Sequence, residues 1–257
     1  APPPAPQHSV DLVRELRSLK PGLKTSTYEE LRTHFRNPPV DFRAMPLWVW
    51  NDELEWPRLK EALGQLKQQG LGGAFVHPRP GLMTEYLGPE WFKLWKQSVK
   101  EGRRLGLLVN IYDENSYPAG FAGGHVPALA PDTVSQYVEL VLVEPASIST
   151  AEIQNQWVAG RLLPVAAFEL DRGVGGELAG ARRILKLAEA TGQKPLALFN
   201  LRRAVGNAWT GGFPYVDLTN PETARALIAT TYEPYRRHVG REFGKTVRWS
   251  FQDEPLL

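Results

Sequence analysis

Leu107-Leu108-Val109-Asn110-Ile111-Tyr112-Asp113-Glu114-Asn115 is the stretch on which the fold turns. Its first part, Leu107 to Tyr112, reads as a strand. Its far end releases two acids and an amide into a glycine-rich loop, Ser116 to Gly124. Upstream, Pro89 opens a helix carrying Phe92, Trp95 and Val99 that ends before Gly106. Trp91 and Trp95, spaced i, i+4 on that helix, read as packing residues. Before it, Gly72 to Val76 reads as another strand, followed by the loop His77-Pro78-Arg79-Pro80-Gly81. Earlier still, Ala44 to Trp50 is a short, almost continuously apolar run, the form expected of a strand covered on both faces. Asn51 or Asp52 then caps a helix with Pro57 in its first turn, Leu59, Ala62, Leu63 and Leu66 on one face, and Gly70 at its close. Strands alternating with helices imply a parallel sheet with right-handed crossovers.

Downstream the rhythm changes. Between about Thr133 and Val205, Tyr137 to Val143, Trp157 to Val158, Leu163 to Leu170 and Leu196 to Leu201 read as extended segments, with Ala181 to Ala190 as a helix among them. This is a mostly β insertion. The βα pattern then resumes with Asn220 as cap, Pro221 in the first turn, and Ala224, Leu227, Ile228, Thr231 and Tyr232 along one helical face that Pro234 should interrupt. After Gly244, Val247 to Phe251 reads as a last strand running into Gln252-Asp253-Glu254-Pro255. At the other end, a proline-rich tail (Ala1 to Pro6) precedes a short helix capped by Ser9. A second helix has Thr27 and Glu30 at capping-box spacing and must stop before Asn37-Pro38-Pro39. Ala1 in place of Met reads as a mature N-terminus or a cut boundary, and the stop soon after a strand reads as truncation. The expected organisation is a tail with short helices over residues 1–34, then a partial barrel over 35–257 with its insertion at about 133–205.

Composition narrows the function classes. The chain has 257 residues, 42% hydrophobic, 10% aromatic and 23% charged, which is ordinary for a globular protein and argues against disorder. A net charge of +2, from 30 basic and 28 acidic residues, gives no overall field for holding a nucleic-acid backbone. Zero cysteines exclude a disulfide scaffold, a Cys-ligated zinc, a thiol nucleophile and an iron–sulfur cluster. No apolar run approaches the roughly 18 residues that span a bilayer. There is no Gly-x-Gly-x-x-Gly or Walker spacing where a strand meets a helix, and no Gly-x-Ser-x-Gly elbow. No cofactor is required by the sequence.

Sites in parallel α/β folds sit at the carboxyl ends of the strands. The four ends carry Trp48, Trp50 and Asn51; His77 and Arg79; Asp113, Glu114, Asn115 and, in the loop beyond, Tyr117; and Asp253 with Glu254. Aromatic faces, amides and paired carboxyls on one rim suit a carbohydrate, whose hydroxyls they bind and whose glycosidic bond a carboxyl pair can cleave. Blander roles stand beside these. One of the two tryptophans belongs to the core, His77 can cap its strand, Asp113 and Glu114 can cap a helix or sit in a solvated loop, and Asp253 can orient its neighbour or bind a cation.

Phe35-Arg36-Asn37-Pro38-Pro39 leading into Pro46-Leu47-Trp48-Val49-Trp50-Asn51, the Gly70-Leu71-Gly72-Gly73 run, and Tyr86-Leu87-Gly88-Pro89-Glu90-Trp91 stand in this order along the chain. Tyr112-Asp113-Glu114-Asn115-Ser116-Tyr117-Pro118-Ala119-Gly120 with Ala122-Gly123-Gly124, then Val216-Asp217-Leu218 and Phe251-Gln252-Asp253-Glu254-Pro255, complete the succession. Together they resemble the large glycoside hydrolases of the α-L-rhamnosidase type, family 106, over about 35–130 and 214–255. The resemblance implies the N-terminal half of a (β/α)8 TIM-type barrel in a secreted or periplasmic enzyme acting on oligo- or polysaccharide. It also implies calcium near the site and a C-terminal remainder of the barrel with further domains. Glu254 would be the general acid in a partly buried, acid-rich site, Asp113 and Glu114 would shape the sugar pocket, and the second catalytic carboxylate would stand on a later strand. The rival readings are a non-catalytic carbohydrate-binding protein and an inactive fragment of such an enzyme.

Overall fold

A computed structural model describes residues 27–144, 164–185, 189–208 and 210–256. The Ser9 helix and the Trp157–Val158 segment lie outside them. The first helix, α1 (Tyr28–Arg36), begins with the expected capping box, Thr27 and Glu30 each binding the other's backbone N–H.

The parallel layer comprises β1 (Leu47–Trp50), β2 (Gly73–Pro78), β3 (Leu108–Tyr112) and, from the far end of the chain, β8 (Ser250–Phe251), in the order β1-β2-β3-β8. All three pairings are parallel. Helices α2 (Trp56–Gln68) and α3 (Pro89–Leu105) cross over between the first three strands. The cap of α2 is Glu55, not Asn51 or Asp52: the Asp52 carboxylate instead accepts the Glu53 N–H, and the helix waits for Trp56 and Pro57. Alternation along each strand divides its residues between two faces. Val76, Val109 and Ile111 pack with Leu59, Leu63, Trp91, Phe92, Trp95 and Tyr235 in one core under the helices. The opposite face carries Phe75, Asn110, Tyr112 and Phe251, with Leu47 and Val49 exposed.

Gly73 shows why this layer closes so tightly. Its φ is +152°, and a Cβ there would collide with the Leu108 carbonyl oxygen, so the β2–β3 contact requires glycine. Strand β8 is shorter than its sequence suggests because the Asn110 Oδ1 accepts the N–H groups of Arg248 and Trp249, each at 3.1 Å, which replaces ladder bonds with a side chain.

A second, antiparallel sheet has the order β4-β7-β5-β6, from β4 (Gln136–Val143), β5 (Pro164–Arg172), β6 (Leu178–Ile184) and β7 (Leu196–Arg203). Between β3 and β4 lies a short α-helix, α4 (His125–Leu129), flanked by 3-10 turns at Ala122–Gly124 and Pro131–Thr133. The helix expected from Ala181 is not formed at its start: Ala181 to Ile184 pair with β5. There Arg182 binds Glu169 at 2.7 Å and Ile184 enters a small core with Val143, Ala167 and Leu198. Beyond the sheet, α5 (Pro221–Leu227) passes through a π turn at Ile228–Tyr232 into α6 (Glu233–Val239). The interruption expected from Pro234 is thus a widened turn just ahead of it, where the missing proline N–H would have bonded.

The described fold is a mixed α/β arrangement with an open four-stranded parallel sheet. Closure into a barrel is not among its features.

Candidate active site

The carboxyl ends of the four parallel strands lie side by side, with Trp50 opposite Pro78 and Tyr112 opposite Phe251. Asp113, fully buried, continues β3 by donating its N–H to the Phe251 carbonyl at 3.2 Å. Its Oδ2 accepts the Tyr232 hydroxyl at 2.5 Å and the Gln252 amide at 3.3 Å, while Oδ1 has no partner. The same Tyr232 hydroxyl lies 3.0 Å from the Ser250 Oγ. Burial pushes the Asp113 carboxyl up to about 6, Asp253 adds a like-charge push, and the Tyr232 and Gln252 donors pull it down.

Because that value stands above the ordinary 3.8, the folded protein holds this proton more tightly than the unfolded chain does. The Asp113 contribution to stability therefore falls as pH rises from 3.8 to about 6. Tyr232→Phe removes the strongest donor and should move the Asp113 titration further upward, read by carboxyl 13C NMR. A downward shift would show that the phenol is not the stabilising donor.

Glu114 is built differently. Oε2 accepts the N–H groups of Gly120, Phe121 and Ala122, and Oε1 accepts those of Asn115 and Gly123. The glycine-rich loop is therefore wrapped around one fully buried carboxyl. Burial pushes that group up to about 8 and the backbone donors oppose the shift. All its acceptor capacity is spent on the loop, so Glu114 shapes the rim from beneath and presents nothing to a ligand.

The remaining rim is held by tyrosines. Tyr112 donates its hydroxyl to Asp253 Oδ2 at 2.8 Å and to the Ser116 carbonyl at 3.1 Å, and the Tyr117 hydroxyl donates to Glu254. The His77 ring stacks on Tyr112 at 3.6 Å between centroids. Burial and then Arg79 lower His77 to about 4, so its imidazole is neutral at ordinary pH; the Ser116 backbone and Asp253 pull the other way. That backbone lies beside the ring, yet neither ring nitrogen has a partner of good hydrogen-bond geometry. Tyr215 ties two loops together, donating to the Ala119 carbonyl at 2.6 Å and accepting the Leu256 N–H at 3.1 Å. Four non-glycine residues have positive φ among the described residues, and three of them, Ser116, Ala122 and Glu254, belong to this rim. Such strain clusters where geometry is over-determined for a purpose.

Asp113, His77, Asp253 and Glu254, with Tyr117 against Glu254, are thus brought to one place. Trp50 is not: it is 1% exposed in the core under the helices, edge-on to Trp91, and Trp48 packs against the same core. Both sit on one face of β1 because residues two apart on a strand point the same way. Glu254 is exposed, where the sequence reading expects partial burial. Asn51 is exposed, Arg79 and Asn115 are half-buried, and Arg79 joins β1 through its N–H to the Trp50 carbonyl at 3.1 Å. Sequence reasoning missed Tyr112, Tyr232 and Gln252. Tyr112 and Gln252 stand immediately beside the acids Asp113 and Asp253, a visible signal, whereas Tyr232 reaches the rim from a helix distant in sequence and carries none. Among the described residues no three His, Cys, Asp or Glu side chains gather as a group that could hold a metal ion. No described helix is long and apolar enough to cross a membrane.

A carboxylate rim at the strand ends of a parallel α/β layer is the class of site this fold defines. No family model and no curated protein matches the chain. Among solved structures it is similar to a rhamnosidase from Novosphingobium sp. PP1Y, at 22% identity and a TM-score of 0.35, over 47% of this chain and 11% of that one.

Proposed function

We propose that the rim belongs to a glycoside hydrolase of the α-L-rhamnosidase type, with Glu254 as the carboxyl that protonates the leaving oxygen. One observation carries this reading: three carboxylates at adjacent strand ends, Asp113, Asp253 and Glu254, each accept a different tyrosine hydroxyl. A phenol fixes one oxygen of each acid; Asp113 is buried beneath the rim, so the exposed Glu254 and the half-buried Asp253 are the acids that would meet a sugar. An acidic rim of this kind repels phosphate esters and suits a neutral polyol. The succession of motifs resembling family 106 supports the same reading, with the parallel layer as part of a (β/α)8 barrel and the water-activating carboxylate on a later strand.

The exposure of Glu254, and its role as acceptor for Tyr117, favour a second reading in which the rim binds sugar without cleaving it. Incubation with aryl α-L-rhamnosides separates the two. Release of the phenol supports hydrolysis, whereas saturable L-rhamnose binding without turnover supports the binding protein.

A further inference from the structure

The chain carries a net charge of only +2, yet one groove concentrates cations far above that average. It lies between the C-terminal half of α3 and the stretch from α6 to Glu242, has a volume of about 600 Å³, and is lined by Lys96, Lys100, Arg103, Arg236, Arg237 and Arg241. Two of these six cations are neutralised, Arg103 by Glu242 at 3.0 Å and Arg236 by Glu233 at 2.8 Å. Lys96, Lys100, Arg237 and Arg241 form no ion pair within 4 Å among the described residues. Cations near helix C-termini ordinarily offset the helix dipole. Two helix ends supply only about half a negative charge each, so an uncompensated field remains in the groove.

His238 sits within that field. Its ring lies flat on Phe92, 4.2 Å between centroids, and its titration is lowered by burial and by the charges of Lys96 and Arg237. Because α3 runs back from the strand ends, its C-terminal half lies toward the opposite end of the parallel layer from the carboxylate rim. The groove is therefore a separate surface.

We propose that this groove binds an acidic oligosaccharide through its sulfate or carboxylate groups. Lysine and arginine on facing elements suit repeated anionic groups spaced along a narrow chain, and arginine forks match both oxyanions. The lining argues against the other polyanions. Its one exposed ring, the His238 imidazole, already has a face covered by Phe92, which leaves no run of rings for stacking successive nucleobases, and its apolar members are only Val99 and Val239, both buried, too little to enter a lipid surface. The choice of a saccharide as carrier of the charge rests on the reading of the rim as a carbohydrate site; the anion site itself does not.

The test is titration of the full chain with a heparin-derived tetrasaccharide, tetragalacturonate, a neutral maltotetraose and a charge-matched oligothymidylate, followed through the His238 imidazole resonances. Both acidic saccharides should bind and raise the His238 pKa, and affinity should fall about tenfold as salt rises from low to physiological levels. Lys100→Glu with Arg241→Glu should weaken binding at least tenfold, and the milder pair Lys96→Gln with Arg237→Gln should weaken it severalfold. Glu254→Gln should leave it unchanged even if the rim proves inert. Unchanged binding in both groove variants, absence of binding by either acidic saccharide, or tighter binding of the oligothymidylate would overturn the proposal.

Discussion

Replacing Glu114 with alanine lowers the unfolding free energy by about 3–5 kcal/mol, the loss expected when several buried N–H groups lose their common acceptor at about 1–3 kcal/mol each, less what water or local relaxation recovers. The magnitude follows from how many groups depend on this side chain. Five backbone N–H groups, from Asn115, Gly120, Phe121, Ala122 and Gly123, converge on its two oxygens. The loop has no other acceptor for them, and each buried donor left unpaired costs free energy of its own. Gly123 and Gly124 have positive φ and Ala122 sits at φ +50°, so the loop cannot relax into a helix that would satisfy the same donors internally. Urea unfolding followed by tryptophan fluorescence measures the loss. Glu114→Gln should recover part of it, because the amide oxygen still accepts while its NH2 group faces donors. A loss below about 1 kcal/mol for the alanine variant would mean that water or a rearranged loop replaces the carboxyl, and that Glu114 does not organise the rim.

Glu254→Gln should reduce kcat on aryl rhamnosides by about 10²–10⁴-fold, the span a positioned general acid contributes, with KM moved only severalfold. Leaving-group dependence decides the role. A nitrophenolate departs with little need of a proton, so its glycoside should suffer least, and an alkyl rhamnoside should suffer most. The residue is exposed at a strand end, bound by the Tyr117 hydroxyl and set at φ +40°, which a non-glycine residue keeps only when its surroundings hold it there. Equal losses across all leaving groups, or full activity in the variant, would remove Glu254 from the proton-transfer step.

Strands β2 and β3 are legible because burial on both faces leaves a mark that needs no partner to interpret. Strand β1 carries the same apolar mark with Leu47 and Val49 exposed on one face, against the expectation of a strand covered on both. Leu108 to Tyr112 is apolar except for Asn110, and Asn110 is the residue whose side chain captures the backbone of the last strand. The acids at the strand ends are legible as the point where the apolar run stops, although Asp113 and Glu114 turn out to be buried there. What distinguishes Asp113 from Glu114 is not legible. Both are acids, adjacent and fully buried, yet one meets a phenol from a distant helix and the other meets only the loop that follows it. That division depends on where the backbone turns after Tyr112, which local pattern does not encode. The Ala181 segment shows the opposite failure. Its alanine, arginines and leucine favour a helix, and tertiary pairing with β5 overrides that preference by burying Ile184 and satisfying Glu169.

Tyr215 gives the antiparallel sheet a reach that its position does not suggest. Its carbonyl accepts the Ser135 N–H at 3.0 Å just ahead of β4, and its neighbour Val216 bridges Val134. Its hydroxyl meanwhile holds Ala119 of the glycine-rich loop and the backbone two residues past Glu254. A displacement at the root of β4 is therefore delivered to both sides of the rim through one rigid aromatic ring. Substitutions along that sheet that touch no rim residue can still retune the spacing of the acids, which makes the insertion a place where the geometry of the rim can drift while every carboxylate stays the same.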